Sequence, residues 1–396
     1  MTLKATLKRV PIAHAVNAAW KCRQVKRVYR ALCRKYETPS ILDHPEEISA
    51  LTRKRWSDTV GQSTSTARRR RIIFVGTDYE QDRSGILQAL TAAADTHVFE
   101  HAPGHYGQRW PKSFAEADEV REHNARALRE QVARVGSDGS LDAVIGQMWG
   151  TSMHWRVLAE LRERGIAVIN IAMDDRHAWT WRRMSDGTFG GTAGIAPYLS
   201  LGCTDAAECV GWYEAEGSRA VFFPEASDAS LFVPSHGAKL YDVAFVGASY
   251  GVRRDLVHAL QRAGVAVQAY GIGWPNGRIP TDDVPRLFAS SRIVLGSGTI
   301  GHCRDFVALK LRDFDAPMSG SLYLTHDNPD FEGLFRVGRE IATFRTVPEA
   351  VSKVQHFLSD ESDRERIASA GRTRCSSEHT WQQRFAMLLS MIGPEH

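Results

Sequence analysis

From position 71 onward, short apolar runs alternate with longer segments whose apolar residues recur every three or four positions. RIIFVG (71–76), THVFEH (96–101), LDAVIGQMW (141–149), IAVINIAMD (166–174) and RAVFFP (219–224) have the length and branched content of buried strands. SGILQALTAAA (84–94), the polar segment 114–135 and MHWRVLAELRERG (153–165) have helical spacing. A second series follows: YDVAFVG (241–247), VAVQAYG (265–271), RIVLGSG (292–298), SLYLT (321–325) and EIATFR (340–345) as strands. RRDLVHALQRAG (253–264), VPRLFASS (284–291), 303–319 and the C-terminal stretch to about Ile392 are its helices. Alternating strands and helices predict α/β architecture with parallel sheets. EASDASLFVPSHGAK (225–239) has few apolar residues in phase and reads as the crossing between two Rossmann-like halves. Three regions are expected: an arm and linker over 1–67, a first domain over 68–228 and a second over 229–396.

Charge sets the arm apart. Residues 1–71 carry 17 Lys/Arg against 5 Asp/Glu, a net of +12, whereas the rest carry 33 against 41 and are mildly acidic. Between Leu3 and Tyr36 the basic residues interleave with Val, Ile, Ala, Trp20 and Leu32 at helical spacing. Such a helix can lie on an anionic membrane, pack on the body or a partner protein, or bind nucleic acid; sparse aromatics make nucleic acid the weakest option. GQSTSTARRRR (61–71) reads as a flexible linker.

At 43% hydrophobic and 24% charged, with no apolar run near membrane-spanning length, the chain reads as an ordinary globular protein with no cleavable signal, placed in the cytoplasm or peripherally at a membrane. Its six cysteines (22, 33, 203, 209, 303, 375) show neither CxxC nor zinc spacing and are expected as free thiols.

Candidate chemistry concentrates in the second half. In KLRDFDAPMSG (310–320), Lys310, Arg312 and Asp315 fall in a helix-like segment that Gly320 can end, just before a strand. Two cations and a carboxylate there can hold a nucleotide diphosphate; a solvated charged helix face is the alternative. GASYGVRRDL (247–256) leads from a strand into a helix whose first turn carries Arg253 and Arg254, a setting that favours an anion. Trp274 in YGIGWPNGR (270–278) can stack on a base or serve as a domain wall. In the first half, Gly76-Thr77-Asp78 and Asp174-Asp175-Arg176-His177 follow strands, where Asp174 or His177 could deprotonate an acceptor hydroxyl, or Asp174 and Asp175 simply cap a helix. The loop WTWRRMSDGTFGGTAGIAPY (179–198) is long enough to belong to the same acceptor side.

YDVAFVGASYGVRRDL, YGIGW, KLRDFDAPMSGSLYLT, FRVGREIATF (335–344) and RIASAGRTRCSSEHTWQQR (366–384) occur in the order found in the C-terminal half of GT-B glycosyltransferases, and the segment resembles the CgeB-like, glycosyltransferase-family-1-like group. The resemblance implies two Rossmann-like domains whose sheets face across a cleft, and transfer of a sugar from a nucleotide diphosphate donor. With it, the donor-binding candidates are Gly247, Arg253, Trp274, Lys310, Arg312, Asp315, Ser319 and Gly320, no cofactor and no obligatory metal are expected, and Gly76, Asp78 and Asp175, which follow strands of the first half, are expected on the acceptor side. The resemblance leans to retention of configuration. Asp315 stands where that group usually has glutamate, so its ribose contact would be longer or water-bridged. Two alternatives remain at this point: a silent GT-B scaffold with a binding arm, and a GT-A-like enzyme using Asp174 and Asp175 for a metal.

Overall fold

In the computed structural model, residues 11–62, 69–235 and 237–392 are described, with side chains from residue 17. Residues 1–10 of the expected arm and most of the expected linker lie outside them. The chain divides into two compact units, Ala50–Leu231 with Ser377–His396, and Met1–Ser49 with Phe232–Ser376.

The first unit holds a parallel sheet of six strands in the order β2-β1-β5-β6-β7-β8. These are β1 (Arg71–Val75), β2 (Asp95–Val98), β5 (Ala143–Gly146), β6 (Ala167–Ala172), β7 (Leu201–Thr204) and β8 (Ala220–Phe222). Two short strands, β3 (Glu100–Ala102) and β4 (His105–Tyr106), form an antiparallel ribbon. Every residue of β5, β6 and β7 is buried, as the continuous apolar runs require of a sheet covered on both faces.

The second unit repeats the plan with five parallel strands in the order β10-β9-β11-β12-β13. They are β9 (Tyr241–Val246), β10 (Val267–Tyr270), β11 (Ser291–Leu295), β12 (Leu322–His326) and β13 (Ala342–Phe344). Two wholly parallel sheets, each built from strand–helix repeats, are the GT-B architecture, and they overturn the single-sheet GT-A alternative.

The expected domain boundaries differ from this division at both ends. The helix Pro11–Lys35 is part of the second unit. Tyr29 is fully buried with its ring 4.7 Å from Phe306, and Lys26 pairs with Asp305. Cys22 and Cys303 form a disulfide, which corrects the expectation of six free thiols; Cys33, Cys203, Cys209 and Cys375 are free and buried. Conversely, the helix Trp381–Ser390 packs into the first unit, where Arg384 donates to His379 and lies 4.2 Å from the centre of the Trp56 ring. An apolar helix face is covered by whichever core completes it, and chain order does not choose between two cores.

Candidate functional site

Two of the expected donor arginines, Arg253 and Arg312, come together at the C-terminal strand edge of the second unit. β9 is followed by Gly247, whose φ of +154° suits glycine and where a Cβ would come within 3.0 Å of the Arg312 guanidinium. The loop then enters the helix Val252–Arg262 through Gly251, at φ +54°. Arg253 stands in phase with Leu256, Val257 and Leu260, so helical periodicity turns it inward, whereas its neighbour Arg254 is exposed. Its guanidinium lies 4.6 Å from the centre of the Tyr250 ring and reaches the Ser297 carbonyl only at 3.4 Å, leaving Nε without a partner.

Arg312 opens the helix Arg312–Met318, donates to the Val246 carbonyl and sits 5.4 Å from the Phe245 ring centre, with Nη1 buried and unpartnered. Burial first, and the charge of Arg312 second, push the Arg253 guanidinium below its usual pKa. His326, closing β12, is 5% exposed; burial and the Arg253 charge lower its pKa to about 4, so its imidazole is neutral near pH 7. His326 Nδ1 and the amide nitrogen of buried Asn328 also lack partners. Three buried side chains, Arg253, His326 and Asn328, and the partly buried Arg312 thus each have a buried polar atom without a partner among the described residues. His326 and Asn328 escaped the sequence reading. The available signal was HDN directly after the apolar run SLYLT, the place where parallel sheets put their chemistry.

Other expected donor residues have different surroundings. Trp274 is 7% exposed within the apolar core, its indole nitrogen donating to the Gly247 carbonyl at 2.7 Å, so it supports the loop as a wall residue and does not offer a stacking face. Lys310 precedes the helix instead of lying in it, its backbone N–H donating to Asp313 at 2.8 Å. Asp313 is fully buried, accepts from the Tyr323 hydroxyl, and is raised to about 6 chiefly by burial. Asp315 is 5% exposed on the same helix. Ser319 donates to the Ala316 carbonyl at 2.7 Å and Gly320 takes φ +73° just beyond the helix; both are spent on ending it.

In the first unit, the Asp174–His177 segment separates by face. Asp174 and His177 are partly exposed, with the imidazole Nε2 3.8 Å from the carboxylate. Asp175 is 1% exposed, accepts from the Tyr213 hydroxyl at 2.9 Å and is raised to about 6, mainly by burial. Its side chain is packed in the core, whereas that of Asp174 is partly exposed. Arg176 is likewise buried, in a two-bond pair with Glu208 at 2.7 and 2.9 Å. Asp78 caps the short helix Tyr79–Asp82 by accepting from the Glu80 N–H at 2.9 Å. Gly76 is required by packing, since a Cβ there would lie 2.3 Å from the Tyr106 hydroxyl. The long loop is anchored by Trp179, wholly buried against Trp212 and Tyr213, and exposes Trp181.

Two wholly parallel sheets, each built from strand–helix repeats, define the GT-B fold. Residues 253–390 match the family model described as glycosyl transferase-like, and the two parallel-sheet units have the GT-B fold. Similar solved structures include sucrose-phosphate synthase from Thermosynechococcus elongatus (11% identity, 82% of this chain and 98% of that one, TM-score 0.58). HepE from Anabaena, in complex with UDP and glucose, matches at 13% identity over 81% of this chain and 100% of that one, with a TM-score of 0.54. A glycosyltransferase from Rickettsia africae matches at 9% identity over 83% and 98%, with a TM-score of 0.56. At these identities the likeness is one of fold. No curated protein matches the chain.

Proposed function

We propose that this protein transfers a sugar from a nucleotide diphosphate donor, bound at the strand edge of its second unit, to a hydroxyl acceptor. The observation that carries the reading is the pair of inward guanidinium groups, Arg253 and Arg312, each with a buried nitrogen lacking a partner. In the reaction the bond from the sugar's anomeric carbon to the diphosphate oxygen breaks, a bond to the acceptor oxygen forms, and the acceptor proton is released. Charge builds on the leaving diphosphate, so fixed cations next to it stabilise the transition state more than the ground state. Arg253, Arg312, Lys310 and the N-terminus of the helix Val252–Arg262 supply that charge, and the reading is therefore of a metal-independent reaction. Retention is the proposed outcome because departure of the diphosphate, not a strong base, is what these groups favour; under inversion the Asp174–His177 pair would take the acceptor proton. Asp315 is kept as the ribose ligand.

UDP is the first nucleotide to test, given the complex of the similarly folded HepE. Calorimetry with UDP should give saturable binding, and sugar transfer or donor hydrolysis should survive exhaustive EDTA treatment. Loss of turnover in EDTA with recovery in Mn²⁺ would overturn the metal-independent mechanism. Nucleotide binding without turnover of any nucleotide-sugar would favour the silent scaffold.

The helix Pro11–Lys35 supports a peripheral membrane role. One face is committed to the second unit, while Trp20 (58% exposed), Arg23, Arg27, Val28 and Arg34 face outward. Deleting the arm would remove part of that unit's packing, so charge reversal is the cleaner test. Combined Arg23→Glu, Arg27→Glu and Arg34→Glu should abolish sedimentation with phosphatidylserine vesicles without unfolding, because each basic residue contributes on the order of 1 kcal/mol at an anionic surface. Added salt should act in the same direction. Unchanged sedimentation would remove the membrane reading.

A further inference from the structure

In the second unit the chain leaves β11 at Gly296 and folds back on itself before the helix Arg312–Met318. Thr299 and Val307 form an antiparallel bridge, the Ile300 N–H donates to the Phe306 carbonyl at 2.8 Å, and the Ala308 N–H donates to the Gly298 carbonyl at 3.0 Å. A hairpin of this kind is held at its two ends, so its tip is only as firm as what packs against it.

One side of the hairpin supports Arg253. The Ser297 carbonyl accepts from its guanidinium, and the Ser297 and Thr299 hydroxyls, both buried, lie 3.0 Å apart. At the tip, the His302 ring stands edge-on to Tyr250 at 5.9 Å, and Tyr250 is the ring beneath the Arg253 guanidinium. Gly251, which leads into the helix carrying Arg253, is so close that a Cβ there would lie 3.3 Å from the Gly301 carbonyl oxygen.

The other side is tied to the helix Pro11–Lys35. Cys22, Lys26 and Tyr29 are spaced four and three residues apart, which puts them on one helix face. They meet Cys303, Asp305 and Phe306 through a disulfide, an ion pair and a ring contact respectively. Cys303 is 1% exposed, but Cys22 is partly exposed, and the residues flanking it, Lys21 and Arg23, are exposed cations. One sulfur of the bond is therefore open to an attacking thiolate, and the charge beside it attracts that anion. Cys33, Cys203, Cys209 and Cys375 are all buried.

We propose that the Cys22–Cys303 disulfide is a reversible thiol-exchange site, and that its reduction by a dithiol weakens donor binding by loosening the hairpin behind Arg253. A dithiol's thiolate attacks the Cys22 sulfur, the sulfur–sulfur bond breaks and Cys303 leaves as a thiolate that takes up a proton. The second thiol of the reductant then displaces Cys22 as a thiol, so two electrons pass to the protein and the dithiol becomes a disulfide. The ion pair and the ring contact do not depend on the bond. They hold the two thiols at high effective concentration, so oxidation closes the bond again. Both contacts follow Cys303 in the chain, and residues 300–302, which precede it, are the part released. The effect on donor binding rests on the donor-site reading, whereas the exchange site itself does not.

The test uses the full chain as oxidised, after dithiothreitol, and after re-oxidation with glutathione disulfide. Alkylation under native conditions followed by mass spectrometry should label Cys22 and Cys303 only after reduction. Hydrogen exchange over 297–303 should quicken, and the Kd for UDP should rise about fivefold or more, the lower end of coupling between distinct sites. Both should return on re-oxidation. Cys22→Ser and Cys303→Ser should each resemble the reduced protein and ignore dithiothreitol, while Cys33→Ser should respond as the wild type does. Because the wild type is measured in every state, the result does not depend on a variant that folds. No labelling at Cys22 and Cys303, or hydrogen exchange that is the same in both states, overturns the inference. Faster exchange with unchanged UDP affinity overturns the coupling to the donor site. Absence of UDP binding in every state would count against the donor reading, with labelling and hydrogen exchange still deciding the thiol site.

Discussion

Arg253→Ala should lose most nucleotide affinity while the unliganded protein melts no lower than the wild type. Arg253 is 8% exposed, its hydrogen bond to the Ser297 carbonyl is long, at 3.4 Å, and one guanidinium nitrogen has no partner. Burial and the nearby Arg312 charge both disfavour its charged form, so without ligand it is a net cost to folding. A bound diphosphate reverses that sign by satisfying the guanidinium. Losing a hydrogen bond to a charged group costs about 1.5–3 kcal/mol, roughly a 10- to 150-fold rise in Kd. Arg312→Ala should behave alike, and the double variant should lose less than the sum if both groups hold one diphosphate. Calorimetry with UDP and thermal unfolding of the free protein check both halves. Unchanged affinity would dismiss the donor site; a large fall in melting temperature would show Arg253 to be a packing residue.

The opposite behaviour is expected at Arg176→Ala, which should strongly destabilise the first unit. Arg176 and Glu208 have 1% and 0% side-chain exposure and meet through two hydrogen bonds. Removing the cation strands a carboxylate in the core, which costs on the order of 3–5 kcal/mol, a large share of a typical domain's stability. For a unit of this size that is a fall of roughly 6–20 °C in melting temperature. Replacing both partners, Arg176→Met with Glu208→Leu, should recover much of it, because no charge is then stranded. Asp174→Asn, two residues away on the exposed face, should leave stability unchanged. Equal melting of Arg176→Ala and wild type would show that the pair is not the anchor its burial implies.

These two arginines show what could be read from the chain alone. The inward turn of Arg253 was legible, because RxxLVxxL spacing is set by the backbone: it stands three, four and seven residues before Leu256, Val257 and Leu260. The order of strands and helices, and so the GT-B plan, was legible for the same reason, since period and run length are local properties. Gly320 was placed correctly at the end of its helix because φ +73° is a demand one residue makes by itself.

Neighbours in sequence did not reveal their separate fates. Asp174 and Asp175 look alike in the chain, yet one stays partly exposed and the other is buried against Tyr213, 38 residues on. Trp274 could stack or pack, and a hydrogen bond to Gly247 together with a place in the core decided for packing. The sequence by itself determined the two sheets, the strand-edge loops and the cationic character of the segment that follows β9. Only the tertiary structure decided which core receives the N-terminal helix and Trp381–Ser390, and that Cys22 meets Cys303. Those outcomes depend on contacts between residues far apart in the chain, and local pattern carries no record of distance across a fold.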